Sequence, residues 1–430
     1  MTYSLLFYSF LLWSIPLATL VPFEIASNDV RPWVLTLILC FIQFFFVARK
    51  PINVSTLSLS SLFLALALFL SVLVHPASEA VLISRLTLLT AFYLLYLVSA
   101  SIPINLFHDI IVVSIILPAA LVCVFSLFEY FFFSSSLQTY YSTTSILPRA
   151  RGFFAEANEF SQYLGIPFSF IISYLFFPKY SPFPRYILLL FLILITLSQI
   201  LTLSRGGLLV FFVNLSVGSF LAFYYYKLRH FQFQINLPIL STFFVSILIV
   251  SALLINPSFS SFLLPTLERL NSLFSGSDAT SLIRFESQAD GFSFIQNNFF
   301  NLFFGIGFGR LPIILGPNAA TTSNFFADVL IESGIIGFAF LLFFLLSTTL
   351  AVFRSFRLVE TDSSYCPILF ALSMSFFGLV VGGTTYATLL LNFFWLVAGL
   401  IFALLSFLSS RGVVLSHISS RPYMSQSKSV

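Results

Sequence analysis

"LTLSRGGLLVFF" (Leu201–Phe212) places one arginine and two glycines inside a stretch that is otherwise uncharged from 186 to 226. A charge at the centre of a membrane helix costs roughly 2.5–3.5 kcal/mol on insertion scales. One long helix with Arg205 at its middle is therefore a poor solution. The stretch reads as two spans that meet at a polar turn, and that reading sets the fold class.

The composition agrees. The chain has 430 residues, of which 59% are hydrophobic and 8% charged, against about 25% charged in a soluble domain. Mean hydropathy is +1.04. These values define an all-α, polytopic integral membrane protein. The formal charge of +4 is explained by basic residues at helix ends, a topological signal, and not by a nucleic-acid partner. Cys40, Cys123 and Cys366 all lie inside apolar runs, and the four histidines are scattered without ligand spacing. Neither a disulfide nor a metal site is expected. No Lys or Arg precedes the first apolar run, so the N-terminus is expected to be a retained span and not a cleaved signal.

Runs of about 20 apolar residues are long enough to cross a bilayer. They predict about twelve spans, near 3–22, 32–48, 55–74, 80–100, 107–129, 159–177, 185–204, 206–226, 237–256, 333–353, 366–386 and 388–409. The last two are expected to be joined by a very short turn. A long extracytoplasmic loop, about 257–332, separates the ninth and tenth spans of this single membrane domain (1–410), and 411–430 forms a polar tail. The basic residues orient the chain. With the N-terminus in the cytoplasm, all four lysines fall inside, together with Arg49, Arg185, Arg229, Arg354, Arg357, Arg411 and Arg421. Outside fall Arg31, Arg149, Arg151, Arg205, Arg269, Arg284 and Arg310, with no lysine. Arg85 remains within the fourth span. Both termini are thus expected in the cytoplasm.

An all-arginine outer set is informative, because the planar guanidinium fork binds phosphate oxygens in pairs and stays charged. Pairing with nearby acids such as Glu156, Glu268, Glu286 and Asp290 is the plainer explanation. Ser198, Thr202 and Arg205, spaced by four and three, are expected on one face of the seventh helix, with Gly206-Gly207 permitting the reversal. Arg205 then reads either as a snorkelling helix-end residue or as the head of a polar seam leading to an anion site. "RARGFFAEANEF" (Arg149–Phe160) adds Arg149, Arg151, Glu156, Asn158 and Glu159 where the sixth span begins. A helix N-terminus there favours anions.

"GIGFGR" (Gly305–Arg310) lacks the GK[ST] of a phosphate-binding Walker loop. It is expected to be a mobile or close-packed outer loop, or a plain turn. In "SLIRFESQADGFSFIQ" (Ser281–Gln296), Leu282, Phe285, Ala289 and Phe292 form a helical apolar stripe. That helix is expected along the membrane surface, with Arg284 and Gln288 on its other face. Asn324, Asp328 and Glu332, spaced by four and four, line one polar face at the tenth span. They read either as a general base with its helper or as acids favoured by the helix dipole. No Asp-x-Asp is available outside to hold a metal on a diphosphate, so arginines would have to stabilise such a leaving group.

Four stretches together resemble the bacterial O-antigen polymerase/ligase superfamily of membrane glycosyltransferases. They are Arg149-x-x-Gly152 followed by Asn158; Thr202-x-Ser204-Arg205; Arg284 followed by Gly305-x-Gly307-x-Gly309; and Ser323-Asn324 followed by Glu332-x-Gly334-x-x-Gly337. Their order and spacing agree over about 140–350. The resemblance implies transfer of a glycan from an undecaprenyl-diphosphate carrier outside the bacterial inner membrane, with no metal or other cofactor. It implies Arg149, Arg205 and Arg284 as diphosphate ligands, to which proximity adds Arg151 and Arg310. Asn158, Ser204, Ser323 and Asn324 would support them. Implied partners are carrier-linked glycan donor and acceptor, membrane lipid and chain-length regulator proteins, with no nucleic acid.

Ser323 stands where the family often has a histidine on which its ligases lean, so the pattern favours a polymerase of lipid-linked repeats. Gln288 stands where an aromatic is often seen. The base is left open among Glu156, Asp328 and Glu332. A ligase moving glycan to lipid or protein is the rival within the family, and a lipid-linked glycan flippase the rival outside it.

Overall fold

The computed structural model describes residues 9, 11–15, 23–25, 28–30, 37–38, 40, 56–74, 79–102, 104–132, 149–154, 156–229, 279–296, 298–311, 314, 324–359, 363–386 and 391–419. Most of the predicted spans at 3–22 and 32–48, the whole of 237–256, and Arg31, Arg269 and Ser323 lie outside the described residues. A small antiparallel hairpin pairs β1 (Phe23–Ile25) with β2 (Asn28–Val30).

The helices are α1 (Thr56–Val74), α2 (Glu79–Ala100), α3 (Ile104–Phe132), α4 (Ala157–Phe176), α5 (Arg185–Leu201), α6 (Arg205–Arg229), α7 (Ala279–Gln296), α8 (Phe299–Phe304), α9 (Phe325–Leu358), α10 (Cys366–Gly382) and α11 (Asn392–Ser419). Nine of the predicted spans fall on them. Among the described residues, α2, α3, α6, α9 and α11 are long and apolar enough to cross a membrane, and α1, α5 and α10 are shorter apolar helices. The protein is an α-helical membrane protein. Helix α11 continues to Ser419, so the first part of the expected polar tail is helical.

Helix α4 is the central post, buried along nearly its whole length and packed against α3, α5, α6 and α10. Its polar groups are satisfied inside the bundle. Ser161 Oγ donates to the Asn158 carbonyl (2.8 Å), Gln162 Nε2 to that of Gly382 (3.2 Å) and Ser173 Oγ to that of Pro367 (2.6 Å). Close approach comes from glycine: a Cβ at Gly165 or Gly382 would meet Val210 of α6, at or inside van der Waals contact. Small residues at helix contacts are the usual device where lipid removes the hydrophobic drive.

The turn that opened the sequence reading differs from expectation. Helix α5 stops at Leu201, Thr202 caps it, and Leu203 takes a left-handed φ of 51°. Arg205 therefore begins α6 and does not share a helix face with Ser198 and Thr202. Gly206 and Gly207 are helical, not the reversal. They let α6 approach Thr385 on one side and Gln199 and Ser161 on the other. The expected short turn between the last two spans is also longer. Thr384 and Thr385 hydroxyls bond back to the carbonyls of Val381 and Gly382 and finish α10 early, a competition with helix bonding that hydroxyl side chains often win.

Helix α9 is broken. Gly334 has φ 67° and ψ −170° in the middle of an otherwise continuous helical run. A helix break frees backbone groups that need partners where they are buried. The segment after α8 supplies the donors: Ile306 N–H donates to Ile331 O and Gly307 N–H to Glu332 O, both at 3.0 Å. The Ser71 hydroxyl of α1 also donates to Glu332 O.

A Cβ at Gly334 would overlap the Phe303 carbonyl. We expect Gly334→Ala to cost at least about 1–3 kcal/mol through its left-handed backbone alone. Gly218→Ala meets only the flexible end of Met374 and should cost far less. Thermal unfolding of the two variants in detergent checks the contrast.

Candidate functional site

Helix ends and their connections gather at one end of the bundle. They are the C-termini of α1, α3, α5 and α10 and the N-termini of α2, α4, α6 and α9. At the other end Lys179 and Arg185 join Arg354 and Arg357, with ring contacts such as Tyr224–Phe353 and Phe177–Phe370 between.

The segment 149–154 is stitched across the first end. Ala150 N–H donates to Leu201 O at 2.9 Å. Arg149 Nε donates to Thr202 O at 2.8 Å, and its Nη2 to Asn158 Oδ1 at 2.8 Å. The carbonyls at the end of α5 have no further turn to bond, and a cation is favoured at that negative pole. One guanidinium thus ties the end of α5 to the start of α4.

Gly152, at φ 57°, donates its N–H to Glu129 Oε2 at 3.1 Å, and the same carboxylate interacts electrostatically with Arg151. Sequence reading missed Glu129. The available signal was an acid in the last turn of an apolar span, which needs a partner.

Ser204 caps α6: its Oγ accepts the Gly207 N–H at 3.3 Å, and its carbonyl accepts the Leu208 N–H at 3.1 Å. Thr202 Oγ1 accepts the Ser204 N–H at 3.2 Å. Arg205 is half-buried at this N-terminus, next to the Thr385 side of α10. Tyr386, also missed from sequence, donates its hydroxyl to Glu156 Oε2 at 3.2 Å, and Glu156 is exposed at the start of α4. Arg149, Arg151, Glu156, Asn158, Ser204 and Arg205 are therefore brought together, although 202–205 lies some fifty residues along the chain from 149.

A second group surrounds the broken helix. Gly305, Gly307 and Gly309 all take left-handed φ (75°, 105°, 73°), and the loop is buried from Gly305 to Gly309. Of the readings left open for it, close packing is the one observed. Glu332 is buried, accepts the Leu311 N–H at Oε1 (3.4 Å), bonds the Gly309 backbone and feels the Arg85 charge. The Arg85 guanidinium lies over Gly309, where any Cβ would collide with it. Glu332 is thus built into the loop's anchorage.

Asp328 is half-buried one turn earlier, and Asn324 caps α9 by accepting the Phe326 and Ala327 N–H groups at 3.1 and 3.4 Å. The Phe325 N–H donates to Gly383 O at 2.8 Å, which joins this group to the α10 end of the first. Arg310 is half-buried at the end of the loop.

Arg284 stands apart on α7, half-buried. It lies on the side that carries Gly291 and Ile295, and Gly291 packs on Ile331 and Leu311. The expected apolar stripe is not this packing face. Phe285 and Ala289 are exposed and turn away from the protein, whereas Phe292 is half-buried against the cluster of Ile295, Ile306 and Ile331.

Compared with protein-family models and with curated proteins, the chain finds no match. Its fold and site define an α-helical membrane protein with two linked polar clusters at one bundle end.

Glu129→Leu removes both the acceptor for Gly152 and the charge facing Arg151. We expect it to lower stability by about 1–3 kcal/mol in detergent thermal unfolding. Glu129→Gln, which keeps an acceptor, should lose clearly less.

Proposed function

We propose that the chain is a membrane glycosyltransferase that polymerises polyprenyl-diphosphate-linked oligosaccharide repeats into O-antigen, capsular or exopolysaccharide. The observation that carries this reading is the pair of bonds from Arg149 to Thr202 O and Asn158 Oδ1. They draw the arginine-bearing stretches 149–158 and 202–206 to one bundle end. On this reading that end faces outward from the bacterial inner membrane and both termini are cytoplasmic. The exposed Lys179, Arg354 and Arg357 at the opposite end accord with a cytoplasmic surface.

The chemistry follows from charge. A sugar hydroxyl of one carrier-linked repeat attacks the anomeric carbon of the growing chain. The bond from that carbon to the diphosphate oxygen breaks, and the diphosphate leaves with the electron pair. Guanidinium groups of Arg149, Arg151 and Arg205, with the N–H groups at the start of α6, stabilise the developing charge. Arg284, which stands apart on α7, and Arg310, at the end of the glycine loop, are left out of this cluster.

A base takes the hydroxyl proton. Glu156 is the best placed of the three acids, since it is exposed beside Asn158 and oriented by Tyr386. Asp328 is second. Glu332 serves the loop and is the weakest candidate.

Fork geometry is the testable element. Lysine keeps the charge but cannot offer two parallel donors. Arg205→Lys should lower polymerisation by about 10- to 100-fold, the equivalent of one or two charge-assisted hydrogen bonds. The assay is the ladder of repeats formed by purified protein from carrier-linked oligosaccharide. Full activity with lysine at 205 would count against diphosphate binding there. A single transfer to lipid core or protein, without a ladder, would mark a ligase instead.

A further inference from the structure

The α7–α8 segment carries a row of uncovered aromatics: Phe285 is 66% exposed, Phe299 77% and Phe300 47%, and Phe294 and Phe303 are also exposed. Phe299 lies against Phe303 and Phe300 against Phe304 with the rings tilted, each pair at 4.9 Å between centroids. Their depth can be read from α9. Arg354 and Arg357 are exposed near its C-terminus, and the stretch 335–353 before them carries no charge. Nineteen helical residues at 1.5 Å each span about 28 Å, close to the hydrocarbon thickness of about 30 Å. If arginines mark one headgroup boundary, the break at Gly334 falls at the other.

Helix α8 is fixed at that level. The Phe303 carbonyl abuts Gly334, and Gly305 abuts the Glu332 carbonyl. The apolar surface is also continuous across this point. Ile335, Leu342, Leu346 and Leu350 are exposed on α9, as are Leu66, Leu70 and Leu73 on α1, against which α8 also packs. Helix α8 itself has no charged residue.

We propose that the Phe285/Phe299/Phe300/Phe303 surface is a lipid-docking face, seated in the bilayer just below the headgroups next to the Gly334 break, and that its occupant is the acyl region of the membrane. It holds the α7–α8 segment down in the interface, so that the glycine loop is pinned between lipid on one side and α9 on the other. Burial of an apolar face about 5–10 Å into the headgroup–acyl boundary is typical of interfacial helices. This inference does not depend on the proposed glycosyl transfer.

The test is nitroxide labelling of Phe299→Cys and Phe303→Cys in the full chain, reconstituted in phospholipid nanodiscs. Collision with oxygen, which favours lipid, is compared with collision with a water-soluble nickel chelate. The buried Cys40, Cys123 and Cys366 keep background labelling low, and the labelled parent chain measures it. Leu346→Cys serves as the mid-bilayer reference and Glu286→Cys as the aqueous one.

Labels at 299 and 303 should be oxygen-accessible and nickel-protected, with a depth of about 5–10 Å below the phosphates. Nickel accessibility equal to that at 286 would overturn the proposal by placing the face in water. Immobilised spectra protected from both reagents would overturn it by showing a protein surface there, such as a second copy. Because 299 projects from the fold, these substitutions leave the core untouched.

Discussion

A backbone carbonyl freed where protein shuts out water has no solvent to turn to, and the fold must find it a donor. That constraint organises the region around Gly334. The break frees the carbonyls of Ile331 and Glu332, and the amides of Ile306 and Gly307 meet them as a strand edge would. Such an approach needs backbone against backbone, which is why Gly305 and Gly334 face each other with no room for a Cβ. The Glu332 side chain then accepts from the backbone amides of Gly309 and Leu311, and the Arg85 guanidinium lies over Gly309. Loop, broken helix and the ends of α1 and α2 thus form one unit. Buried and unpaired, each of those carbonyls would cost about 1–3 kcal/mol, so the loop and the break stand or fall together.

The second unit solves a related problem with charge. Arginines near lipid are costly unless paired, and here they bond helix ends. Arg149 serves the open carbonyl of Thr202 and the Asn158 amide, while Arg151 lies by Glu129. Such partners hold the side chains in a fixed geometry; the neutral acceptors of Arg149 leave its positive charge at this end, whereas Glu129 offsets that of Arg151. Preorganised charge of this kind suits the proposed role, since a site that stabilises a leaving diphosphate gains most when it need not reorganise during reaction. The Phe325–Gly383 hydrogen bond and the approach of Gly206 to Thr385 couple this unit to the first, so both answer to the packing of α6, α9 and α10.

Much of the helical layout was legible because an apolar run of membrane length admits few alternatives. Nine predicted spans coincide with described helices, and the 202–206 turn was found from the cost of a single charge. What was misread depended on local geometry that residue types leave open. Gly206-Gly207 looked like a hinge, but Leu203 makes the reversal and the glycines serve packing between helices. The stripe through Phe285 and Ala289 is exposed, as the apolar side of a surface helix would be, while the side the protein packs on, through Ser287, Gly291 and Ile295, was not foreseen. Periodicity shows that a face exists, not which neighbour covers it. Glu129 and Tyr386 were passed over since each is an isolated polar residue in apolar sequence, and their roles exist only through partners far along the chain.

The sequence by itself determined a membrane-embedded helical chain and the arginine-rich character of one set of connections, because hydropathy and charge act locally along the chain. Tertiary structure decided which of those connections meet, which acid stays exposed and which is consumed in holding a loop. It also chose the side of α7 that faces the protein. Those outcomes turn on pairings of a few ångströms between distant residues, and no local pattern encodes them.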